Sequence, residues 1–331
     1  MLFRTLHTSP ALHLEGYADI DHFRESERYA KAESIPLDVR NFSVRRAALA
    51  MPGCTLSLVR TFPRIVNGYD LSGRLLIIIP MNEVASARIN GEAVGQSLIL
   101  LKGGDCTVVE PEARLVAILA VRADATDSRW REFAKSHLLL DLPAVKLTQL
   151  RNLILAALEF AASQPEAIMA ADVLDKLQLT LLSAIEAVLR SGAEQTGRGR
   201  LARTRHLQIV REVDAIIGSN PLDASNEKLA DEIGVSVRTL QTASQTICGL
   251  SAHEYCRLRR LWSMRRQLRT GAAGLTVKAS ALAHGFWHMG ELSRVYRDAF
   301  DELPSQTLEQ AKVGGRATYA NELRHGPALT R

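Results

Sequence analysis

The sequence contains no apolar run long enough to cross a bilayer. Its longest, Leu75–Pro80 and Leu115–Val121, fall far short of the roughly 20 residues that a spanning helix needs. The opening stretch MLFRTLHTSPALHLEG has no sustained apolar core ahead of a small-residue cleavage site, so neither export nor membrane insertion is expected. The four cysteines, Cys54, Cys106, Cys248 and Cys256, are scattered without a CxxC pair, which predicts reduced thiols in the cytoplasm. No histidine occurs between Pro36 and Val121, and His13, His22 and His137 flank that segment without ligand spacing. A metal centre needs several such ligands, so no metal site is expected. P-loop, dinucleotide and GxSxG elements are also missing. The sequence therefore predicts no catalytic residues, no cofactor and no enzyme.

What is present is an ordinary globular composition with an uneven charge. Of the 331 residues, 47% are hydrophobic and 23% charged, which suits two domains with cores of their own. The net charge is +5, and residues 198–331 carry 20 Lys/Arg against 13 Asp/Glu, whereas the rest carry 21 against 23. A basic C-terminal part after a nearly neutral one fits a DNA-binding domain joined to a sensor, although a solvated surface would read the same way.

Residues 222–308 hold a duplicated pattern. In the first copy Leu229, Ala230 and Ile233 share a helical face, Gly234 supplies a turn, and Ser236 is placed to cap a second helix. In the second copy Gly285 is the turn, and Leu292, Val295, Tyr296, Ala299 and Phe300 form the buried face of the following helix. Helix, glycine turn and helix is the minimal device for laying a helix in a DNA major groove. Between the copies, Tyr255–Arg269 reads as a long helix in which Arg257, Arg259, Arg260, Arg265, Arg266 and Arg269 interleave with Leu258, Leu261, Trp262 and Leu268. One or two of these arginines are expected at phosphate, the others solvated or paired.

Gly249-Leu250-Ser251, Tyr255 to Leu261, Gly285-Phe286, Tyr296-Arg297, Phe300 and Leu303-Pro304-Ser305 together resemble the C-terminal domain of AraC/XylS transcription regulators. The ending DELPSQTL is most similar to the XylS-like branch, and the resemblance runs from about Leu207 to Leu308. Ala243 and Ser244 depart from it, standing where the family usually has a large apolar residue and Phe. Asp301 replaces the usual Gly, and Glu291 replaces a neutral or basic residue. The resemblance implies a transcription regulator that binds double-stranded DNA, with RNA polymerase as a further partner. It also implies a cupin-like effector domain upstream and, in the XylS-like branch, an aromatic or carboxylate effector.

Short β-prone runs fill residues 36–122: Asp38–Leu49, Thr55–Thr61, Leu75–Ile79, Ala85–Asn90, Leu98–Leu101, Thr107–Val109 and Arg114–Val121, with Asn90-Gly91 as a hairpin turn. Such spacing predicts a small sandwich or barrel. Residues 1–35 read as a loop and a short helix at Ile20–Ala32. Two amphipathic helices are expected in 144–192, at Ala144–Ser163 and Glu166–Gly192. In the second, Leu174, Leu177, Leu181, Ile185 and Val188 make a seam of about 3.5-residue period. That seam either packs on the domain's own sheet or joins two chains, and its length favours a homodimer contact. The expected organisation is α+β: a cupin-like β-barrel or sandwich sensor with dimerisation helices (1–192), a linker (193–204), an all-α domain of two helix–turn–helix units (205–312) and a tail (313–331).

On the helix after Ser236, Arg238, Gln241, Thr242 and Gln245 share the outward face. Arg pairs with guanine, Gln with adenine, and Thr touches a thymine methyl or a phosphate. The resemblance places base contacts at Arg238, Gln241 and Thr242. On the second helix the candidates are His288, Met289, Ser293 and Arg294, with Glu291 as a partner for Arg294, while Trp287 is assigned to the core or a staple. Arg45, Arg46, Arg60 and Arg74 are either carboxylate anchors or outward charges. Two alternatives stay open: a constitutive architectural DNA-binding protein and, more remotely, a cupin-type metalloenzyme.

Overall fold

The computed structural model describes residues 3, 6–26, 33–40, 42–69, 74–82, 86–101, 104–125, 137–170, 172–190, 193–194, 200–221 and 225–313. The chain forms two compact units, one of Met1–Pro36 with Asn41–Arg200, the other of Leu37–Arg40 with Leu201–Arg331.

The first unit holds β1 (Leu12–Tyr17), α1 (Ile20–Ser26), β2 (Glu33–Pro36), β3 (Val44–Ala50), β4 (Cys54–Arg60), β5 (Arg64–Tyr69) and β6 (Leu75–Pro80). These are followed by β7 (Arg88–Ile89), β8 (Glu92–Ala93), β9 (Leu98–Leu101), β10 (Gly104–Glu110), β11 (Leu115–Val121), β12 (His137–Asp141) and β13 (Ala193–Glu194). An eight-stranded sheet runs β1-β3-β4-β11-β6-β9-β12-β13 and a five-stranded one β2-β5-β10-β7-β8. It is thus a two-sheet arrangement rather than a closed barrel. The hairpin at Asn90-Gly91 forms as expected, both residues having positive φ (49° and 79°), with Ile89 opposite Glu92.

Strand alternation decides which residues face the helices. Leu12, Leu49, Leu56, Leu119, Ile77 and Leu100 lie side by side across six strands and are all buried in one cluster. That face is covered by α2 (Ala144–Ser163), the short α3 (Pro165–Ile168) and α4 (Val173–Leu189), through Leu150, Ile154, Leu158, Leu181 and Ile185. Polar contacts set the helices in place: Arg151 Nε donates to Pro80 O at 2.7 Å, and Gln178 Oε1 accepts from Gly53 N at 2.5 Å. The alternate residues Val59, Ile78, Ile99, Leu101 and Val116 are buried as well, so the large sheet is covered on both faces.

Several expectations need correction. Residues 12–17 form a strand, not a loop, because Leu12 completes the buried row through its pairing with Leu49. The helix at Ile20 ends at Ser26, and residues 27–32 lie outside the described residues. The strands at Arg64–Tyr69 and His137–Asp141 were not foreseen. The expected helix Glu166–Gly192 is divided into α3 and α4. Its seam packs on the unit's own core: Leu181 and Ile185 are each 1% exposed, and half-buried Leu174 and Leu177 pack against the same cluster. A two-sided sheet needs a full apolar cover, and this seam supplies it.

The second unit is helical: α5 (Arg200–Ser219), α6 (Asn226–Ile233), α7 (Val237–Cys248), α8 (Ala252–Arg269), α9 (Val277–Ala283), α10 (Met289–Phe300) and α11 (304–313). Part of the expected linker is therefore helix, since α5 begins at Arg200, while 195–199 and the tail from 314 lie outside the described residues. No helix among the described residues is long and apolar enough to cross a membrane.

Because the seam is internal, Leu181→Ala is expected to lower the protomer's unfolding free energy by about 2–5 kcal/mol in urea. Its sedimentation behaviour should stay that of the wild type.

Candidate nucleic-acid interface

The two helix–turn–helix units are built by the same local rules. Ser225 caps α6 by accepting from Lys228 N, and Thr276 caps α9 by accepting from Ala279 N. Each first helix ends on a glycine turn, Gly234 or Gly285, both with φ of 72°, a conformation that favours glycine. The next residue closes the turn backwards in each copy: Val235 N donates to Ala230 O and Phe286 N to Ala281 O, both at 2.9 Å. Ser236 then caps α7 through Thr239 N, whereas α10 starts at His288 without a side-chain cap.

On α7, Leu240, Ala243 and Ile247 are buried, and Arg238, Gln241, Thr242 and Gln245 are all exposed. Their commitments differ. The Arg238 guanidinium makes no hydrogen bond or ion pair among the described residues. Gln241 Oε1 accepts from Ala252 N at 3.0 Å, linking α7 to the start of α8, and Gln245 Nε2 donates to Gly249 O, the C-cap of its own helix, at 3.2 Å. Thr242 Oγ1 donates to Arg238 O at 2.9 Å. Ser244, at the family's Phe position, is buried with its hydroxyl unpartnered.

On α10, Leu292, Val295, Tyr296 and Phe300 point inward as expected. His288 and Arg294 are exposed, and Met289 and Ser293 are half-buried. Ser293 Oγ donates to Met289 O at 2.8 Å, and Arg294 pairs with Asp298 at 3.5 Å instead of with Glu291. Trp287 is 66% exposed and is not in the core, whereas Phe286 is half-buried with its ring centroid 5.2 Å from the Arg260 guanidinium. The helix ends at Asp301 with φ of 56°, which explains why the resembling family carries glycine there.

The spacer α8 holds both units. Its capping box, Ser251 with Glu254, fixes the start. Arg259 and Arg265 are buried and paired, Arg259 with Asp214 of α5 at 2.8 Å and Arg265 with Glu302 at 3.0 Å. Tyr255 OH also donates to Asp214 at 2.8 Å. Arg260 reaches Gly285 O at 3.4 Å, so three of the arginines that sequence alone offered to phosphate are structural. Arg266 and Arg269 remain exposed.

His284 sits between α9 and α8, its Nδ1 2.8 Å from Ser280 O and its Nε2 3.3 Å from Ser263 Oγ. Burial, with Arg266 and Arg260 nearby, holds it below the ordinary histidine value of 6.5. The folded state therefore binds its proton less tightly than the unfolded chain does. Stability from this group is complete above pH 6.5 and is lost as pH falls below it. Thermal melts at pH 7.5 and 5.5 should show a smaller acid-induced drop in Tm for His284→Gln than for the wild type.

In the first unit the arginines named from sequence do not gather. Arg45 and Arg60 are exposed, Arg74 is half-buried, and Arg46 pairs with Glu15 at the surface. The buried charges are others. Arg64 Nε donates to Glu110 at 2.9 Å, and Arg114, 2% exposed, has Nη1 3.7 Å from the same carboxylate and a buried Nε without a partner. Burial pulls the Arg114 pKa down. The Arg64 guanidinium lies 5.3 Å from the Phe62 ring and 5.9 Å from that of Phe23. Sequence reading missed this cluster because Arg64 opens an unforeseen strand and Arg114 precedes a run that is otherwise apolar.

Residues 229–310 match the family described as a helix-turn-helix domain. The XylDLEGF operon transcriptional activator of Pseudomonas putida is 38% identical over 89 residues, 27% of this chain and 28% of that protein. XylDLEGF operon transcriptional activator 2 of the same organism is 34% identical over 90 residues, 57% of its length. The chain thus spans less than two thirds of these relatives. Among solved structures, a probable AraC family transcriptional regulator from Rhodopseudomonas palustris shares 37% identity over 31% of this chain and 97% of that one, with a TM-score of 0.29. The AraC-like transcriptional activator CuxR shares 13% identity over 82% of this chain and 100% of that one, with a TM-score of 0.40. Residues 229–310 thus form a helix-turn-helix domain, and this part of the chain is similar to transcription regulators of the AraC/XylS type.

Proposed function

We propose that this protein is a ligand-responsive transcription activator that lays α7 and α10 in successive major-groove segments of double-stranded DNA. The observation that carries this reading is the pair of matching glycine turns, each presenting an outward helix and both held by one buried spacer, on the basic part of the chain. Base edges face Arg238, Gln241, Thr242 and Gln245 from α7, and His288, Met289, Ser293 and Arg294 from α10. Arg238 is the foremost reader, because it alone in the α7 set has an uncommitted side chain among the described residues. Exposed Arg266 and Arg269 are the phosphate contacts of the spacer in this reading. The protein acts in the cytoplasm, with RNA polymerase as partner. It works as a homodimer whose contact lies outside the internal seam, where Leu179 is 66% exposed.

Fluorescence anisotropy with promoter duplexes tests the core of this reading. Affinity should fall steeply with salt as counterions are released. Arg238→Ala should cost about 1–3 kcal/mol and relax preference at particular base pairs, whereas Arg266→Ala should weaken all sequences alike. An Arg238→Ala protein with unchanged preferences would place specificity elsewhere.

The effector in this reading carries a carboxylate on an aromatic or apolar body. Its support is the buried Arg64–Glu110–Arg114 cluster, in which two guanidinium groups share one carboxylate beside Phe62 and Phe23. An anion would accept from the buried Arg114 Nε, which has no partner among the described residues. Benzoate should then raise the Tm of the full chain while neutral benzamide does not, and Arg114→Met should abolish the response. Equal shifts by both compounds would exclude the ion pair.

A further inference from the structure

The two outward helices offer different chemistry. On α7 the exposed side chains are polar apart from Val237, and Arg238 is uncommitted among the described residues. On α10 two of the polar candidates turn back on their own helix, Ser293 to Met289 O and Arg294 to Asp298, while His288 is exposed. The start of α10 presents two apolar side chains beside exposed His288 and Glu291. Trp287, 66% exposed, immediately precedes the N-cap, and half-buried Met289 is the first helical residue. A tryptophan in water forgoes the burial of a large apolar surface, and the adjacent Phe286, half-buried, is the less exposed of the two rings.

Gly290 is an independent observation. It lies in the first turn of α10, its φ is not in the left-handed region, and a Cβ built there would meet nothing within 4 Å. No packing or backbone constraint calls for glycine here, and glycine weakens a helix relative to alanine. Its missing side chain leaves the helix start open to close approach from outside.

We infer that the second unit reads thymine 5-methyl groups in the major groove through Trp287 and Met289, with Gly290 letting the start of α10 come close to the base edges. The N-terminal residues of a recognition helix are those that meet base edges, and the thymine methyl is the apolar feature of those edges. The basic charge of this part of the chain, 20 Lys/Arg against 13 Asp/Glu, favours DNA over an apolar protein partner. The inference rests on the DNA-binding reading above and adds the base feature that the second unit recognises.

The test uses the full chain and a duplex obtained by binding-site selection. Each thymine is replaced in turn by deoxyuridine, which removes the methyl and keeps the pairing. At the contacted positions, loss of one buried methyl should weaken binding about fourfold. Trp287→Ala and Met289→Ala should bind the thymine duplex more weakly and lose the thymine–uracil difference there, whereas Arg238→Ala should keep that difference. Gly290→Ala should weaken binding without lowering Tm. Equal affinity for thymine and uracil at every position overturns the inference. So does a Trp287→Ala protein that keeps both its affinity and the difference, the result expected if Trp287 serves a protein partner. A wild-type protein with no salt-sensitive binding to any duplex overturns the DNA reading itself, and this inference with it, before any uracil is introduced.

Discussion

A helix that must serve two neighbours at once has no dry side to spare, and this constraint organises the C-terminal unit. The spacer α8 packs against both α7 and α9, and its buried residues Tyr255, Cys256, Leu261, Trp262, Met264 and Leu268 are spread around it. Arg259 and Arg265 fall on those buried positions and cannot reach water. Each is matched by a carboxylate from outside the helix–turn–helix pairs: Asp214 on α5 and Glu302 after α10. Glu302 is held in turn by Thr307 Oγ1 at 2.7 Å, and the Arg265 guanidinium lies 5.3 Å from the Phe300 ring. Breaking such a buried pair leaves an uncompensated charge at a cost of about 3–5 kcal/mol. The flanking helices are therefore part of the frame that presents the recognition helices.

The N-terminal unit meets a similar demand in a different way. A sheet buried on both faces needs apolar residues at nearly every strand position, as in Leu75–Pro80 and Leu98–Leu101, and an amphipathic cover for the face that the second sheet does not occupy. Helices α2 and α4 provide that cover. At one end of the strands the interior admits charge, where Arg64, Glu110 and Arg114 meet beside aromatic rings. Burying charge is costly unless each group is paired and hydrogen-bonded, and the Arg114 Nε has no partner among the described residues.

Much of the interface was legible in the sequence because its signals are local. Gly234, Gly285, Ser236 and Ser251 each act within a few residues of themselves, through a left-handed turn or a cap, and they appear where such chemistry requires them. The inward face of α7 followed from spacing alone. The commitments of the outward side chains did not. That Gln241 reaches Ala252 N, that Arg294 pairs with Asp298 and not Glu291, and that Trp287 stays exposed are settled only in the folded chain. Asp301 is an intermediate case: the resembling family's glycine was visible, and only the φ of 56° shows what that glycine is for.

Taken alone, the sequence determined the α+β class, the double helix–turn–helix, the Asn90-Gly91 hairpin and the apolar alternation of most strands, because propensity, capping and turn chemistry act over a few residues. Tertiary structure alone decided the rest. Pairing with Leu49 turned residues 12–17 into a strand, and the need to cover a sheet drew Leu181 and Ile185 inward, where periodicity cannot tell a core from an interface. Likewise, three of the spacer's six arginines became structural once Asp214, Glu302 and Phe286 were brought beside them from residues distant in the chain. Charge is readable from sequence, but whether a charge faces water or a partner depends on contacts that only the folded chain creates.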